Sequence, residues 1–148
     1  REGSGRCKFI GFEIQDECNK PSNSLISGKK STIKLTFRRC ESQTQPMSLS
    51  LGISSENQVR LAHLCMKTFG VTIPSEESNL FHINLNLEKV ELNAGKYLVT
   101  IFLDDESGEI IDWVANAFEI NVIQSDFYGT GLLPSSDKGS LLMKHSFN

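Results

Sequence analysis

The chain has 148 residues, of which 39% are hydrophobic and 22% charged, which is enough apolar material for one globular domain. Its formal net charge is -3 and its basic residues form no block, so binding of nucleic acid or an anionic membrane through bulk charge is disfavoured. No apolar run approaches the roughly 18 residues of a membrane span. The start has neither a signal-peptide stretch nor an initiator Met, so we expect a fragment or a processed chain in the cytoplasm.

Alternation of apolar and polar residues with a period of two dominates the chain and predicts β-strands. Seven runs follow this pattern or are apolar: 7–14, 31–40, 46–54, 59–69, 79–87, 95–105 and 112–124. The run 59–69 could also be a helix, but its β-branched and aromatic residues favour a strand. Turn residues separate the runs, and no long helical pattern interrupts them. We therefore predict an all-β, antiparallel two-sheet sandwich, immunoglobulin-like or jelly-roll-like, with about eight strands and a further C-terminal strand.

The four cysteines contain no Cys-x-x-Cys pair, so a zinc ribbon or a thioredoxin-like motif is not expected. An even number would permit two disulfides, but a domain of this size does not need them, and we expect reduced thiols.

Motifs for catalysis, metal binding or a cofactor are not found, so we expect neither enzyme activity nor a metal nor a cofactor. The segment 103–109 gathers four carboxylates around Gly108, a composition that could bind calcium. It lacks the EF-hand spacing, and a solvated hairpin turn is the simpler interpretation.

A possible ligand surface follows from the alternation in runs 95–105 and 112–124. If these strands are neighbours, their outward side chains share one face of a sheet, where aromatic rings could stack on sugars while carboxylates and amides bind hydroxyls. The candidates are Trp113 and Phe102 as aromatics, Asp104, Glu119 and Asn121 as hydrogen-bonding groups, and Thr100 and Ser50 as further contacts. The same aromatics could instead cover a second apolar layer or a subunit contact.

The segment after residue 124 has a different composition. Gly129 and Gly131 permit unusual backbone angles, and Pro134 opposes continuation of the preceding strand. We therefore divide the domain into a sandwich, 1–124, and a hinge with a C-terminal strand, 125–148. The hinge spans 126–134 and the strand 139–147. We expect that strand to be exchanged between the protomers of a homodimer, through Phe127, Tyr128, Leu141, Leu142 and Met143.

Three segments, taken in order, resemble one family. They are "REGSGRCKFIGFEI" at the start, "LNLEKVELNAGKYLVTIFL" before and within a core strand, and "AFEINVIQSDFYGTGLLPSSDKGSLLMKHSF" at the end. Together they resemble the C-terminal domain of Wzt, the ATPase subunit of ABC transporters that export O-antigen polysaccharide. The closing aromatic, which is often Trp in that family, is Phe147 in this chain.

The resemblance implies a cytoplasmic, dimeric carbohydrate-binding domain that follows an ATP-hydrolysing domain and acts with a membrane permease. It would recognise the non-reducing end of a lipid-linked O-antigen polysaccharide at the cytoplasmic face of the inner membrane. Two alternatives remain open from the residues alone. One is an immunoglobulin-like domain whose aromatic face meets a protein partner. The other is a glycan-active enzyme, which would need Asp104 and Glu119 to converge.

Overall fold

A computed structural model describes residues 1–75 and 78–148 as a two-sheet β-sandwich. The strands are β1 Cys7–Gln15, β2 Pro21–Ser22, β3 Leu25–Ile26, β4 Ser31–Arg39, β5 Met47–Ser55, β6 Arg60–Cys65, β7 Leu80–Leu87, β8 Gly95–Asp105 and β9 Ile110–Ile123. One sheet has the order β2-β1-β4-β7 and the other β3-β9-β8-β5-β6. The predicted all-β sandwich is confirmed. The short β3 runs parallel to β9, and every other pair is antiparallel.

The predicted alternation places the core as expected in β8. Tyr97, Val99, Ile101 and Leu103 are buried between the sheets, while the residues between them point outward. The aromatic centre of the core joins the two sheets, because the ring of Phe9 in β1 lies 5.7 Å from that of Phe118 in β9. No helix among the described residues is long and apolar enough to cross a membrane.

Tyr97 also ties the start of β8 to the loop before it. Its hydroxyl donates a hydrogen bond of 2.6 Å to the carbonyl oxygen of Asn93, four residues upstream. This is the tyrosine-corner arrangement that the Gly-x-Tyr sequence at 95–97 indicates.

The predicted strand 59–69 ends earlier than expected. β6 stops at Cys65, and Met66–Phe69 form a single 3-10 turn. Gly70 closes this turn in the left-handed region, with a φ of 67°, and donates its N–H to the Lys67 carbonyl oxygen. Glycine adopts this conformation without steric cost, so it stops the strand pattern although the side chains of the turn are suited to β-structure.

The predicted C-terminal strand 139–147 does not form in the single chain. One bridge pairs Leu141 with Leu92, and the Leu142 N–H bonds the Glu91 carbonyl oxygen. The side-chain amide of Asn93 also holds the tail, by donating hydrogen bonds to the carbonyl oxygens of Ser135 and Gly139. The physical reason is that a strand needs a sheet edge to pair with, and in the part of the chain that the structure describes residues 139–147 form a single bridge.

The tail residues assigned to dimerisation differ in exposure. Phe127 and Leu142 are buried within their own chain. The Phe127 ring lies under the Lys89 ammonium, 3.9 Å from Nζ, and against Gly28. Tyr128, Leu141 and Met143 are exposed by 37%, 52% and 72%. Only these three could meet a partner without local unfolding.

The N-terminal segment lies along β9 rather than trailing into solvent. The backbones of Glu2 and Trp113 exchange two hydrogen bonds, of 2.9 and 2.8 Å. Gly3, with a φ of +112°, lies so close to the backbone of β9 that a Cβ would stand 2.6 Å from the Ile111 carbonyl oxygen. This close approach explains the glycine in the opening "REGSG".

Candidate functional site

A groove of about 400 Å³ crosses the outer face of the five-stranded sheet. Its floor is β5, where the outward positions hold only the small residues Ser48, Ser50 and Gly52. Side chains on one face of a sheet recur every second residue, and on this face the neighbouring strands carry longer side chains. A run of small residues between two taller strands therefore makes a channel.

The aromatic wall of the groove is formed by β8 and β9. Phe102 pairs with Trp113 on one side and with Ser50 on the other. The two rings meet edge to face, with centroids 5.7 Å apart and planes at 76°. Trp113 remains 40% exposed. A large ring half open to solvent beside hydroxyl groups is a surface that can accept the C–H face of a ligand.

The opposite wall is basic. Arg60 and His63 of β6, with Lys67 from the 3-10 turn, line the groove across the floor from Trp113. His63 pairs with Gly52, and the Arg60 guanidinium lies against that glycine, where an added Cβ would collide with it. Gly52 therefore leaves room for the Arg60 head group on the floor.

Among the residues that the structure describes, Asp104 is the only carboxylate that lines the groove. Its Oδ2 accepts a hydrogen bond of 2.7 Å from Lys67 Nζ, and its side chain is 13% exposed. The hydrogen bond to this carboxylate raises the pKa of Lys67. Asp104 can therefore accept from a ligand hydroxyl only with lone pairs that Lys67 does not use.

Ser48 adds a polar atom with unused bonding capacity. Its hydroxyl is buried and has no hydrogen-bond partner among the described residues, although it borders the groove. A buried hydroxyl without a partner costs free energy, so such a group beside a pocket marks a place where a ligand or a water can bind.

Five of the seven residues predicted for the ligand face meet in the groove. They are Trp113, Phe102, Asp104, Thr100 and Ser50. Glu119 and Asn121 point outward as expected but lie beyond the groove. Glu119 borders a separate depression with Phe12 and Asn23, at the edge where β9 approaches β1. A role for these two in binding stays a prediction, and the groove does not bring Asp104 and Glu119 together.

Position along the strands explains the separation, and an irregularity in β9 sets that position. Val99 and Ile101 of β8 pair with Phe118 and Val114, so three residues of β9 face one of β8. Asn116 sits in this bulge with a φ of 50° and donates its N–H to Thr100 Oγ1 at 3.1 Å. The two extra residues of this bulge leave Glu119 opposite Leu98 and Asn121 opposite Lys96, on the groove's face but four and six residues along β8 from Phe102.

A metal centre is not apparent in residues 1–75 and 78–148, where no three His, Cys, Asp or Glu side chains are grouped for one. In the acidic turn 105–109, Asp105 Oδ1 accepts hydrogen bonds from the backbone N–H groups of Ser107 and Glu109. The carboxylate thus closes its own hairpin, as the turn interpretation predicts. The four cysteines are free, and burial raises the pKa of the Cys7 thiol to about 11.

Comparison with known proteins gives one family. The model of the Wzt C-terminal domain family matches residues 1–133. Among solved structures, the chain is similar to the C-terminal domain of wzt, with 16% identity, a TM-score of 0.78, and 99% of this chain and 86% of that one covered. It is also similar to a Niemann-Pick type C2 protein from Japanese carpenter ant, with 14% identity, a TM-score of 0.54, and 82% and 98% covered. The search of curated protein sequences found no match.

Proposed function

Because the chain belongs to the Wzt C-terminal domain family, we propose that it is a non-catalytic carbohydrate-binding domain that holds an O-antigen polysaccharide in the groove. The observation that carries the proposal is the aromatic wall of Phe102 and Trp113 standing beside the hydroxyl floor of β5. An arrangement of one apolar face and several hydrogen-bonding groups matches the two surfaces of a sugar ring.

Each side chain has a role in this proposal. A sugar ring lies against Trp113, whose exposed indole provides the stacking surface. The hydroxyls of Ser48, Ser50 and Thr100 exchange hydrogen bonds with sugar hydroxyls along the floor. Asp104 accepts from a hydroxyl at the end of the groove, where Lys67 holds its carboxylate in place. None of these contacts requires a covalent step.

Membership of the family supports a proposal for the cellular setting. The domain acts with an ABC ATPase domain that precedes it and a membrane permease subunit, at the cytoplasmic face of the bacterial inner membrane. Its ligand is the non-reducing end of the lipid-linked polysaccharide, which it binds before export. An open-ended groove, rather than a closed cavity, suits the end of a long chain that must continue into solvent.

Titration with polysaccharide tests this proposal. The chain, labelled with ¹⁵N, is titrated with O-polysaccharide isolated from the organism that carries the gene, and dextran serves as the unrelated control polymer. We expect saturable shifts of amide resonances in β5, β8 and the first half of β9, and none with dextran. An intact fold that gives no shifts with the O-polysaccharide at millimolar sugar would overturn the proposal and favour a protein partner for the aromatic face.

We also propose that the domain forms a homodimer by exchange of its tail. The exposed apolar side chains of Leu141, Met143 and Phe147, the last 93% exposed, support this, because they lack cover in their own chain. The sheet of a partner protomer would supply an edge strand with which residues 139–147 could pair.

Truncation tests the exchange. Removal of residues after Gln124 would also delete the buried Phe127 and Leu142, and would therefore destabilise the protomer itself. Removal of residues 143–148 spares both. We expect the shorter truncation to yield a folded monomer by light scattering, while the full chain is dimeric. A truncated chain that remains fully dimeric would contradict the exchange.

A further inference from the structure

We infer that the ligand of the groove carries an anionic group, a carboxylate or a phosphate, which the guanidinium of Arg60 binds. The inference rests on the proposed function, since it assumes that the groove holds a glycan. It narrows the ligand from any polysaccharide to an acidic one, and it assigns the recognition of charge to one side chain.

The position of Arg60 is the first argument. Its guanidinium lies on the groove floor against Gly52, close to where a Cβ would stand. Arg60 Nε donates to the hydroxyl of Ser54 at 3.3 Å, which fixes one edge of the planar group. Within residues 1–75 and 78–148, this hydroxyl is the only hydrogen-bond partner of its side chain, and no carboxylate pairs with it. The two terminal nitrogens are therefore left to bind an oxyanion in the bidentate geometry that guanidinium favours.

The charge balance of the groove is the second argument. Lys67 and Asp104 neutralise each other through their contact of 2.7 Å. Of the described residues that line the groove, none besides Asp104 carries a negative charge that could balance Arg60, although the chain as a whole has a formal charge of -3. A single positive site on a domain of negative net charge attracts one anionic group at that site, whereas the bulk charge of the domain does not attract polyanions.

The span of the sheet sets the size of the ligand. Trp113 and Arg60 lie on β9 and β6, separated in the sheet by β8 and β5. The Arg60 guanidinium reaches back over Gly52 of β5, so two inter-strand spacings, about 10 Å, separate it from β9. A ligand that stacks on Trp113 and places an acidic group at Arg60 must therefore span about 10 Å of the groove.

Chemical neutralisation of the ligand, combined with a variant, tests the inference. The O-polysaccharide is prepared in three forms: untreated, carboxyl-reduced with carbodiimide and borohydride, and dephosphorylated with aqueous hydrogen fluoride. Each is titrated calorimetrically into the native chain, Arg60→Gln, Arg60→Lys and Arg38→Gln. Arg38 lies on β4 of the other sheet and provides the matched loss of one positive charge. Thermal melting confirms that each variant is folded.

We expect Arg60→Gln to weaken binding of the untreated polysaccharide about ten- to hundredfold, the effect of one charge-assisted contact. Arg60→Lys should retain part of the affinity, and Arg38→Gln all of it. One of the two treatments should weaken binding to the native chain as much as Arg60→Gln does. The same treatment should not change the affinity of Arg60→Gln, and it identifies the acid as a carboxylate or a phosphate. Undiminished binding by Arg60→Gln, or of both treated forms to the native chain, would overturn the inference while leaving the proposed function standing. Failure of the native chain to bind the untreated polysaccharide would overturn both.

Discussion

Replacement of Asp112 by alanine is expected to lower the free energy of unfolding by about 2–4 kcal/mol, measured by urea denaturation. Asp112 is 1% exposed and accepts three hydrogen bonds. Two come from the guanidinium of Arg1, at 3.0 and 3.1 Å, and the third from the backbone N–H of Phe9 at 2.8 Å. The substitution leaves the Phe9 donor buried without an acceptor, which costs more than the mean value of a hydrogen bond.

Two further variants separate the contributions to this site. Arg1→Ala removes the ion pair and the hydrogen bond from Arg1 to the Phe9 carbonyl oxygen. The arginine side chain is 45% exposed and water can replace its contacts, so a loss of about 0–1 kcal/mol is expected. Asp112→Asn keeps an acceptor for the Phe9 N–H but loses the charge, and should fall between the two. The predicted order is Asp112→Ala, then Asp112→Asn, then Arg1→Ala. An Arg1→Ala variant as unstable as Asp112→Ala would show that the ion pair, not the buried amide, dominates.

Asp112 also illustrates what strand alternation can and cannot predict. The alternation of 95–105 predicts which side chains of β8 are buried and which face the groove, because this strand has regular neighbours through most of its length. In β9, Asp112 departs from the pattern of apolar residues at inward positions. It is a carboxylate at an inward position, directly opposite the buried Leu103. The hydrogen bonds from the Phe9 N–H in the other sheet and from Arg1, 103 and 111 residues away in the chain, explain why a carboxylate is tolerated there.

The basic wall could have been predicted in part. Runs 46–54 and 59–69 are joined by a short polar segment, which favours a hairpin and would place Arg60 and His63 beside Ser50 and Gly52. The apolar content of 59–69 predicts a strand but does not by itself indicate which of its polar side chains share a face with Ser50 and Gly52. The contact of Lys67 with Asp104 could not be predicted, because a two-residue period does not reveal the 3-10 turn that carries Lys67. The bulge at Asn116, which sets where Glu119 lies along β8, likewise has no clear signature in sequence.

Replacement of Trp113 by alanine is expected to reduce the affinity for the O-polysaccharide by about thirtyfold or more, equivalent to about 2 kcal/mol. The indole is the largest exposed aromatic surface in the groove, and it packs edge to face on Phe102, which limits its freedom before the ligand arrives. A stacked sugar therefore gains contact area while little side-chain entropy is lost. Calorimetric titration measures the change.

Controls distinguish this loss from damage to the fold. The backbone pairing of Trp113 with Glu2 does not need the indole, so Trp113→Ala should melt close to the native chain. Trp113→Phe keeps a ring and should retain part of the affinity. Phe69→Ala removes an aromatic ring that is 82% exposed and lies outside the groove, and should bind as the native chain does. If Trp113→Ala binds normally while Phe69→Ala does not, the ligand occupies the apolar cleft between β6 and β7 that Phe69 borders, and the aromatic wall has no part in binding.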